Sequence, residues 1–312
     1  MHKKHQETLK KVYQRQIIGI LQLSIVDNLL TLHRIWIVMN KHIVIIPIMA
    51  TLLLTSCNSY NNVLKADDYD YRYEAAKEYY TAGQYVRAYQ LLEDMVLLMK
   101  ATEHGEESFY MLAMCYYKTR DYETAGLYFE RYYKTYPKGT YSELARYYAG
   151  KAAYMQSPDS RLDQTSTIAA INRLKDYLDY YPYSERREEV TDMIYQLQDK
   201  LAFKEYEAAK LYFNLGSYVG NCVFGGNNYE ACIITADNTL RLYPYTQYRE
   251  DLIMLMLKAR YHLALNSVEA KADERFRQTI DEYYGFKNEF PESKYTKEAD
   301  QIFKECSSKV RM

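Results

Sequence analysis

The chain has 312 residues, with 40 lysines and arginines against 41 aspartates and glutamates, and a formal net charge of −1. This balance excludes the class of nucleic-acid-binding proteins that displaces counterions from phosphate with a strongly basic face. Only 11 glycines and 6 prolines disfavour a turn-rich β protein, so composition predicts a mostly helical chain with an unusual number of tyrosines, 37.

Residues 1–38 contain a broken apolar stretch, from Ile17 to Val38, that a signal peptide does not need. Met39 would begin a signal of ordinary length. We therefore interpret residues 1–38 as a gene-start extension. A double-hydrophobic leader that begins at Met1 is the alternative.

Residues 39–56 have the features of a secretory signal peptide. Lys41 precedes an apolar run, Ile43 to Leu54, which is interrupted by Pro47 and is too short to cross a bilayer. The ending Leu54-Thr55-Ser56-Cys57 resembles a bacterial lipobox, which predicts cleavage before Cys57 and covalent attachment of lipid, diacylglycerol and a palmitate-type acyl chain, to its thiol. Two or three acyl chains would hold the protein firmly on a membrane. An uncleaved anchor or a buried helix is the alternative.

The body of the chain repeats. One unit runs from Phe109 to Pro137 with two stretches of helical apolar spacing, and an earlier unit matches it at an offset of 37 residues. Four prolines follow an aromatic residue, and core-type residues stand twelve, eight and five positions before each of them. These pairs are Tyr136-Pro137, Tyr181-Pro182, Tyr243-Pro244 and Phe290-Pro291. Proline should end each second helix, and the hydroxyls of Thr140, Ser184, Thr246 and Ser293 should cap the helices that follow.

This pattern resembles the tetratricopeptide repeat and covers nearly all of residues 69–305. It predicts an all-α fold, a tetratricopeptide-repeat superhelix of about five helix pairs with a concave groove. Longer first helices or loops are expected in the last three units, with candidate insertions at Ser157–Gln164, Val219–Asn228 and Asn266–Ala272.

First helices line the groove of such repeats, so their residues opposite the partner helix are candidates for binding. In both of the first two units the order is an acid, a tyrosine, a long side chain and a second tyrosine. Tyrosine combines apolar area with a hydroxyl at little entropy cost, which suits extended or aromatic-ended peptides. The candidate groove residues are Asp70, Tyr73, Lys77, Tyr80, Glu107, Tyr110, Met114 and Tyr117.

No catalytic or metal-binding pattern is evident, so we expect no enzyme activity and no cofactor beyond the lipid on Cys57. After Cys57 the chain has only two histidines, His104 and His262, far apart in sequence. The remaining cysteines fit burial as small hydrophobic residues. A disulfide between Cys222 and Cys232 is left open.

The chain after Cys57 resembles the BamD-type lipoproteins of the outer-membrane protein assembly machine, in a Bacteroidota-like version. The resemblance rests on the lipobox Cys57, the tether with Leu64-Lys65, the aromatic-proline repeat endings, the segment Ser157–Thr165, and Leu263–Ser267. It implies a lipidated tether at 57–68, an N-terminal repeat pair at 69–140 that meets substrates, and C-terminal repeats at 141–306 that bind a partner.

The resemblance further implies a scaffold of the BAM complex, lipid-anchored on the periplasmic face of the outer membrane, that binds the POTRA domains of BamA and unfolded β-barrel proteins. Candidates for contact with BamA are Arg249, Lys258 and Arg260. Two alternatives stay open. One is another envelope repeat lipoprotein, such as a Tol-Pal or cell-wall scaffold, and the other is a glycan-binding uptake lipoprotein.

Overall fold

A computed structural model describes residues 60–216, 218 and 227–310. The predicted extension, signal peptide, lipidated Cys57 and Cys222 all lie outside these residues, and the predictions made for them remain untested. Within the described ranges the regular elements are helices, without a strand. The predicted all-α repeat fold is confirmed.

The helices form five consecutive pairs and a final single helix, joined mostly by short turns. In chain order they are α1 Tyr69–Thr81, α2 Tyr85–Met95, α3 Gly105–Lys118, α4 Tyr122–Thr135, α5 Ser142–Gln156, α6 Thr165–Tyr180, α7 Arg187–Leu215, α8 Asn228–Leu242, α9 Arg249–Leu265, α10 Glu269–Glu289 and α11 Thr296–Ser307. A 3₁₀ turn, Met99–Ala101, lies between α2 and α3. The described residues include no helix long and apolar enough to cross a bilayer.

The chain divides into two compact units between Ala75 and Ala76. Of the first unit the structure describes residues 60–75, which include a short helical segment at 60–64 and the N-terminal part of α1. The second unit, Ala76–Met312, contains the remaining helices, which pack against their neighbours in chain order. Such nearest-neighbour packing is the defining property of helical repeats.

The turns inside the first two pairs use the same backbone conformation. Gly83 and Arg120, 37 residues apart, both lie in the left-handed region, at φ 73° and φ 67°. Glycine adopts this region without steric cost, whereas the Cβ of Arg120 makes the same conformation sterically unfavourable. Asp121 then caps α4, because its Oδ1 accepts a hydrogen bond from the Thr124 N–H at 3.1 Å.

Second helices end at the residue before the tyrosine or phenylalanine that precedes each proline, as the sequence predicts. The hydroxyls of Ser184, Thr246 and Ser293 then accept hydrogen bonds from the N–H two residues later, at 3.1, 3.3 and 2.9 Å. These bonds go to the residue just before each helix, Arg186, Tyr248 or Tyr295, and the first turns of the helices have no side-chain cap. The hydroxyls therefore order the turns, and the prediction that they cap the helices is wrong.

Helix α7 has 29 residues and is shared by two groups of helices. Its first half, with Val190, Ile194 and Leu197, packs in one core with Leu174 and Tyr177 of α6. Its second half, with Ala209, packs in another core with α8 and α9. We call the helices before this point the N-terminal stack and those after it the C-terminal stack; α7 belongs to both.

Helix α9 is the centre of the C-terminal stack. Leu252, Leu255 and Ala259 face the core shared with α7 and α8, whereas Ile253 and Leu257 face the core shared with α10 and α11. A helix with apolar residues on more than one side is buried between neighbours.

Two predicted insertions can be compared with the structure. Residues 157–164 form the loop between α5 and α6, as predicted. The insertion predicted at Asn266–Ala272 is wrong, because only three residues separate α9 from α10 and the extra length lies in the 21-residue α10. The segment Val219–Asn228 lies almost wholly outside the described residues.

Candidate functional site

The first helices α1, α3 and α5 bring several of the predicted groove residues together. Lys77 of α1 pairs with Glu107 of α3, with 2.9 Å between Nζ and Oε1. Both side chains are more than a third exposed, so the pair orients the two helices more than it stabilises them. The acid and the long side chain of the predicted order thus meet across neighbouring repeats.

Tyrosine rings follow this pair along the same helices. Tyr110 of α3 stacks on Tyr141 with ring centroids 4.5 Å apart, and Tyr117 meets Tyr148 of α5 edge to face at 5.0 Å. Tyr80 of α1 contacts Tyr85 at 5.7 Å. We call the set Tyr80, Tyr110, Tyr117, Tyr141 and Tyr148 the tyrosine strip. All five side chains are half-buried, so each presents part of its area to solvent.

The third repeat ends the strip with a charged cluster. The Tyr147 hydroxyl donates to Glu189 Oε1 at 2.6 Å, and Lys151 Nζ donates to the Tyr147 oxygen at 2.7 Å and to Glu189 at 2.8 Å. The Lys151 ammonium holds the pKa of the Glu189 carboxyl below its ordinary value. The cluster therefore carries a fixed ion pair beside the neutral tyrosines.

The residues of this third repeat were missed at the sequence level, although a signal exists. The last three members of that order recur at the same offset of 37, with Leu144 in place of the acid. Tyr147, Lys151 and Tyr154 are the equivalents of Tyr110, Met114 and Tyr117. Tyr141 and Tyr148 carry no such signal, because only the packing of α5 against α3 brings their rings to the strip.

Two of the eight predicted groove residues belong to the core. Tyr73 is 1% exposed and Met114 is 4% exposed, so the prediction that they line an open groove is wrong. Their spacing places them on the same helix face as Tyr80 and Tyr117, so spacing alone does not separate the buried from the half-buried positions. Asp70 is exposed in the first turn of α1, where an acid complements the helix N-terminus.

Burial raises the pKa of three of the strip tyrosines, Tyr80, Tyr110 and Tyr117. Burial raises the pKa of Tyr80 to about 12, with a further contribution from the nearby Cys115 thiol and neighbouring tyrosines. Burial likewise raises the pKa of Tyr110 and of Tyr117. The strip thus offers neutral hydroxyls and apolar ring area, a combination that suits polypeptide recognition.

These shifts predict that stability falls as pH rises through the interval from 10.0 to about 12. Tyr80 and Tyr147 keep their protons in this interval in the folded protein, whereas the unfolded chain releases them, so proton release favours unfolding. The measurement is the denaturant midpoint as a function of pH. Tyr80→Phe should flatten the decline, and an unchanged midpoint up to the upper limit would contradict the assignment.

The three basic residues predicted to contact a partner are all engaged within the chain. Arg249 binds Glu289, with 3.1 Å between Nη2 and Oε2, Lys258 pairs with Glu298 at 2.7 Å, and Arg260 pairs with Glu282 at 3.0 Å. These bonds tie α9 to α10 and α11. The structure therefore gives them a role inside the C-terminal stack, and their contact with a partner stays a prediction.

The described cysteines are buried free thiols. They are Cys115, Cys232 and Cys306. Burial raises the pKa of Cys115 and of Cys232 to about 12, which makes both thiols unreactive at neutral pH. Among the described residues, no group of three or more histidines, cysteines and acids is placed to hold a metal ion.

Comparisons with known proteins identify the family. A family model described as YfiO, outer membrane lipoprotein, matches residues 65–223, which include the tyrosine strip. No curated protein matches the chain significantly.

Similar solved structures include a TPR repeats protein from Bacteroides fragilis NCTC 9343, with 14% identity and a TM-score of 0.43 over 78% of this chain and 100% of that one. Another is a kinesin light chain TPR-like repeat structure from Podosopora anserina, with 16% identity and a TM-score of 0.28 over 71% and 95%. Since the family model matches more than half of the 312 residues, the chain belongs to the YfiO family of outer membrane lipoproteins.

Proposed function

We propose that this protein is a non-enzymatic scaffold for the assembly of β-barrel proteins in the outer membrane. In this proposal the tyrosine strip binds extended, aromatic-rich segments of unfolded barrel precursors. The C-terminal stack binds the periplasmic POTRA domains of a BamA-type barrel. Lipid on Cys57 holds the scaffold on the periplasmic face of the outer membrane.

The tyrosine strip is the observation that carries this proposal. Unfolded barrel strands alternate apolar and polar side chains and often carry aromatic residues. Half-buried rings with neutral hydroxyls fit such strands, because they offer stacking area and hydrogen bonds with few rotatable bonds to immobilise. Membership of an outer membrane lipoprotein family supports the location, and the BamD-type resemblance supports the partners.

The test of the strip is the double variant Tyr80→Ala with Tyr117→Ala. We expect binding of a peptide from the C-terminal strand of a barrel protein to weaken at least about tenfold, the loss typical of one interface anchor. Fluorescence anisotropy of the labelled peptide measures it. The pair Tyr73→Ala with Tyr110→Ala is a poorer choice, because Tyr73 is buried and its loss would also destabilise the fold.

The matched control is Tyr183→Ala with Tyr245→Ala. These tyrosines are 98% and 81% exposed and lie in the turns before α7 and α9. Equal peptide affinity in both double variants would refute the assignment of the strip.

The same proposal predicts the partner. A tagged lipoprotein extracted in mild detergent should bring down a POTRA-bearing barrel. Recovery of Tol-Pal proteins without such a barrel would refute the proposed complex and favour the other envelope scaffold.

A further inference from the structure

A cleft of about 560 Å³ lies at the middle of α7, where the two stacks meet, and it is separate from the tyrosine strip. Three segments form its walls: the loop after α5 with Ser157, the stretch of α7 from Gln196 to Phe203, and the turn before α9 with Gln247 and Tyr248. Its volume is in the range of small-molecule sites, which often lie at junctions between packed bodies.

Hydrogen bonds fix these walls. Lys200 Nζ donates to Ser157 Oγ at 2.7 Å and to the Ser157 carbonyl at 3.2 Å. On the other side, the Asp199 carboxylate accepts from the Gln247 backbone N–H at 3.1 Å and from Gln247 Nε2 at 3.2 Å. Polar groups held in this way are ready to bind without a further loss of conformational entropy.

One wall is aromatic. The Phe203 and Tyr248 rings lie 5.2 Å apart, and Tyr206 stacks behind Tyr248 with centroids 5.8 Å apart and an angle of 12° between the rings. This second ring fixes the plane of Tyr248. The cleft thus presents flat aromatic surface beside amides, hydroxyls and charged groups, a combination that binds a ligand with one apolar and one polar face.

The charges around the cleft favour a neutral ligand. Asp159 and Asp199 face a single ammonium, that of Lys200, so an anion such as phosphate would meet an excess of carboxylate. A cation would have to compete with donors that the carboxylates already bind, because Asp199 accepts from Gln247 and Asp159 accepts from the Arg161 N–H. The mixture of donors and acceptors suits a ligand whose groups both donate and accept, and hydroxyls do so.

The shape of the cleft differs from that of the tyrosine strip. The cleft is lined by side chains from three separate segments that meet at one point of α7, whereas the strip continues across neighbouring helices. A local cleft suits a compact ligand, and a continuous strip suits an extended polypeptide.

The geometry points to a binding site for a short neutral saccharide, with a sugar ring stacked on Phe203 and Tyr248 and its hydroxyls bonded to Gln196, Asp199 and Lys200. This site goes beyond the proposed scaffold function and does not depend on it. The saccharide would occupy the junction of the two stacks while a polypeptide occupies the tyrosine strip.

Saturation-transfer NMR on the mature chain tests this inference with two probes, maltotetraose and N,N′-diacetylchitobiose. At least one probe should bind. Phe203→Leu, which removes the flat ring and keeps the bulk, should weaken binding roughly tenfold. Ser160→Trp, which fills the cleft from its loop side, should abolish binding. Tyr195→Leu is the matched control, because Tyr195 is an exposed aromatic of the same helix outside the cleft.

Binding of neither probe, or equal binding by the Phe203 and Tyr195 variants, overturns the inference. Displacement of a bound probe by a barrel-derived peptide would also overturn it and assign the cleft to polypeptide. The variant Tyr80→Ala with Tyr117→Ala separates the two sites, because it should lose peptide binding and keep saccharide binding.

Discussion

Replacement of Leu197 by alanine should lower the free energy of unfolding by about 2–5 kcal/mol, the range for removal of a large apolar side chain from a packed core. Leu197 is 1% exposed and lies in the core between α6 and the first half of α7. Its loss leaves a cavity at the helix that both stacks share. Equilibrium denaturation followed by circular dichroism measures the change.

Amide hydrogen exchange would show where the loss acts. Because each repeat contacts only its neighbours, protection should fall most in α6 and α7 and least in α11. Tyr195→Ala is the control on the same helix, and we expect it to cost less than about 1 kcal/mol because that side chain is exposed. Equal costs for the two variants would contradict the packing of α7 described above.

Enlargement of Ala125 to leucine should cost about 1–3 kcal/mol through overpacking. Ala125 is fully buried in α4. The next residue, Gly126, is also buried, and a Cβ added there would already be in van der Waals contact with α5 and α6, 3.8 Å from Ala152 Cβ and 3.4 Å from Arg173 Nη1. Because Ala125 itself has no exposed surface, three additional carbon atoms there must displace its neighbours. Thermal unfolding of the two forms gives the difference.

The same substitution at an exposed site provides the comparison. Ala270 is exposed near the start of α10, so Ala270→Leu adds the same atoms without displacing a neighbour. We expect it to change stability by less than about 0.5 kcal/mol. Similar costs at both positions would show that helix propensity, rather than close packing, sets the effect at Ala125.

The repeat and its turns could be predicted because they depend on local chemistry. Pro137 and its three counterparts end helices through a missing N–H and a steric clash, whatever the rest of the fold does. The hydroxyls of Ser184, Thr246 and Ser293 bond to backbone groups only two residues away. Such effects act within one or two turns of the chain, so sequence spacing reports them directly.

The tyrosine strip could be predicted in part. Tyr80, Tyr110 and Tyr117 follow the order found in both units and are half-buried, as a groove position requires. Tyr73 follows the same order and is buried. Tyr73 and Tyr80 lie seven residues, about two turns, apart on one face of α1. Their different burial therefore depends on what covers each turn of the helix, which spacing does not encode.

The sequence by itself determined the helical repeats, their boundaries near the prolines and the helix face that carries the strip, because these follow from residues close together in the chain. Only the tertiary structure decided that Tyr141 and Tyr148 complete the strip, that Arg249, Lys258 and Arg260 bond within the chain, and that one long helix joins two stacks and forms a cleft. Each of these results depends on contacts between residues about 20 to 50 positions apart. Packing sets the rotation and offset of whole helices, and spacing along the chain does not encode either quantity.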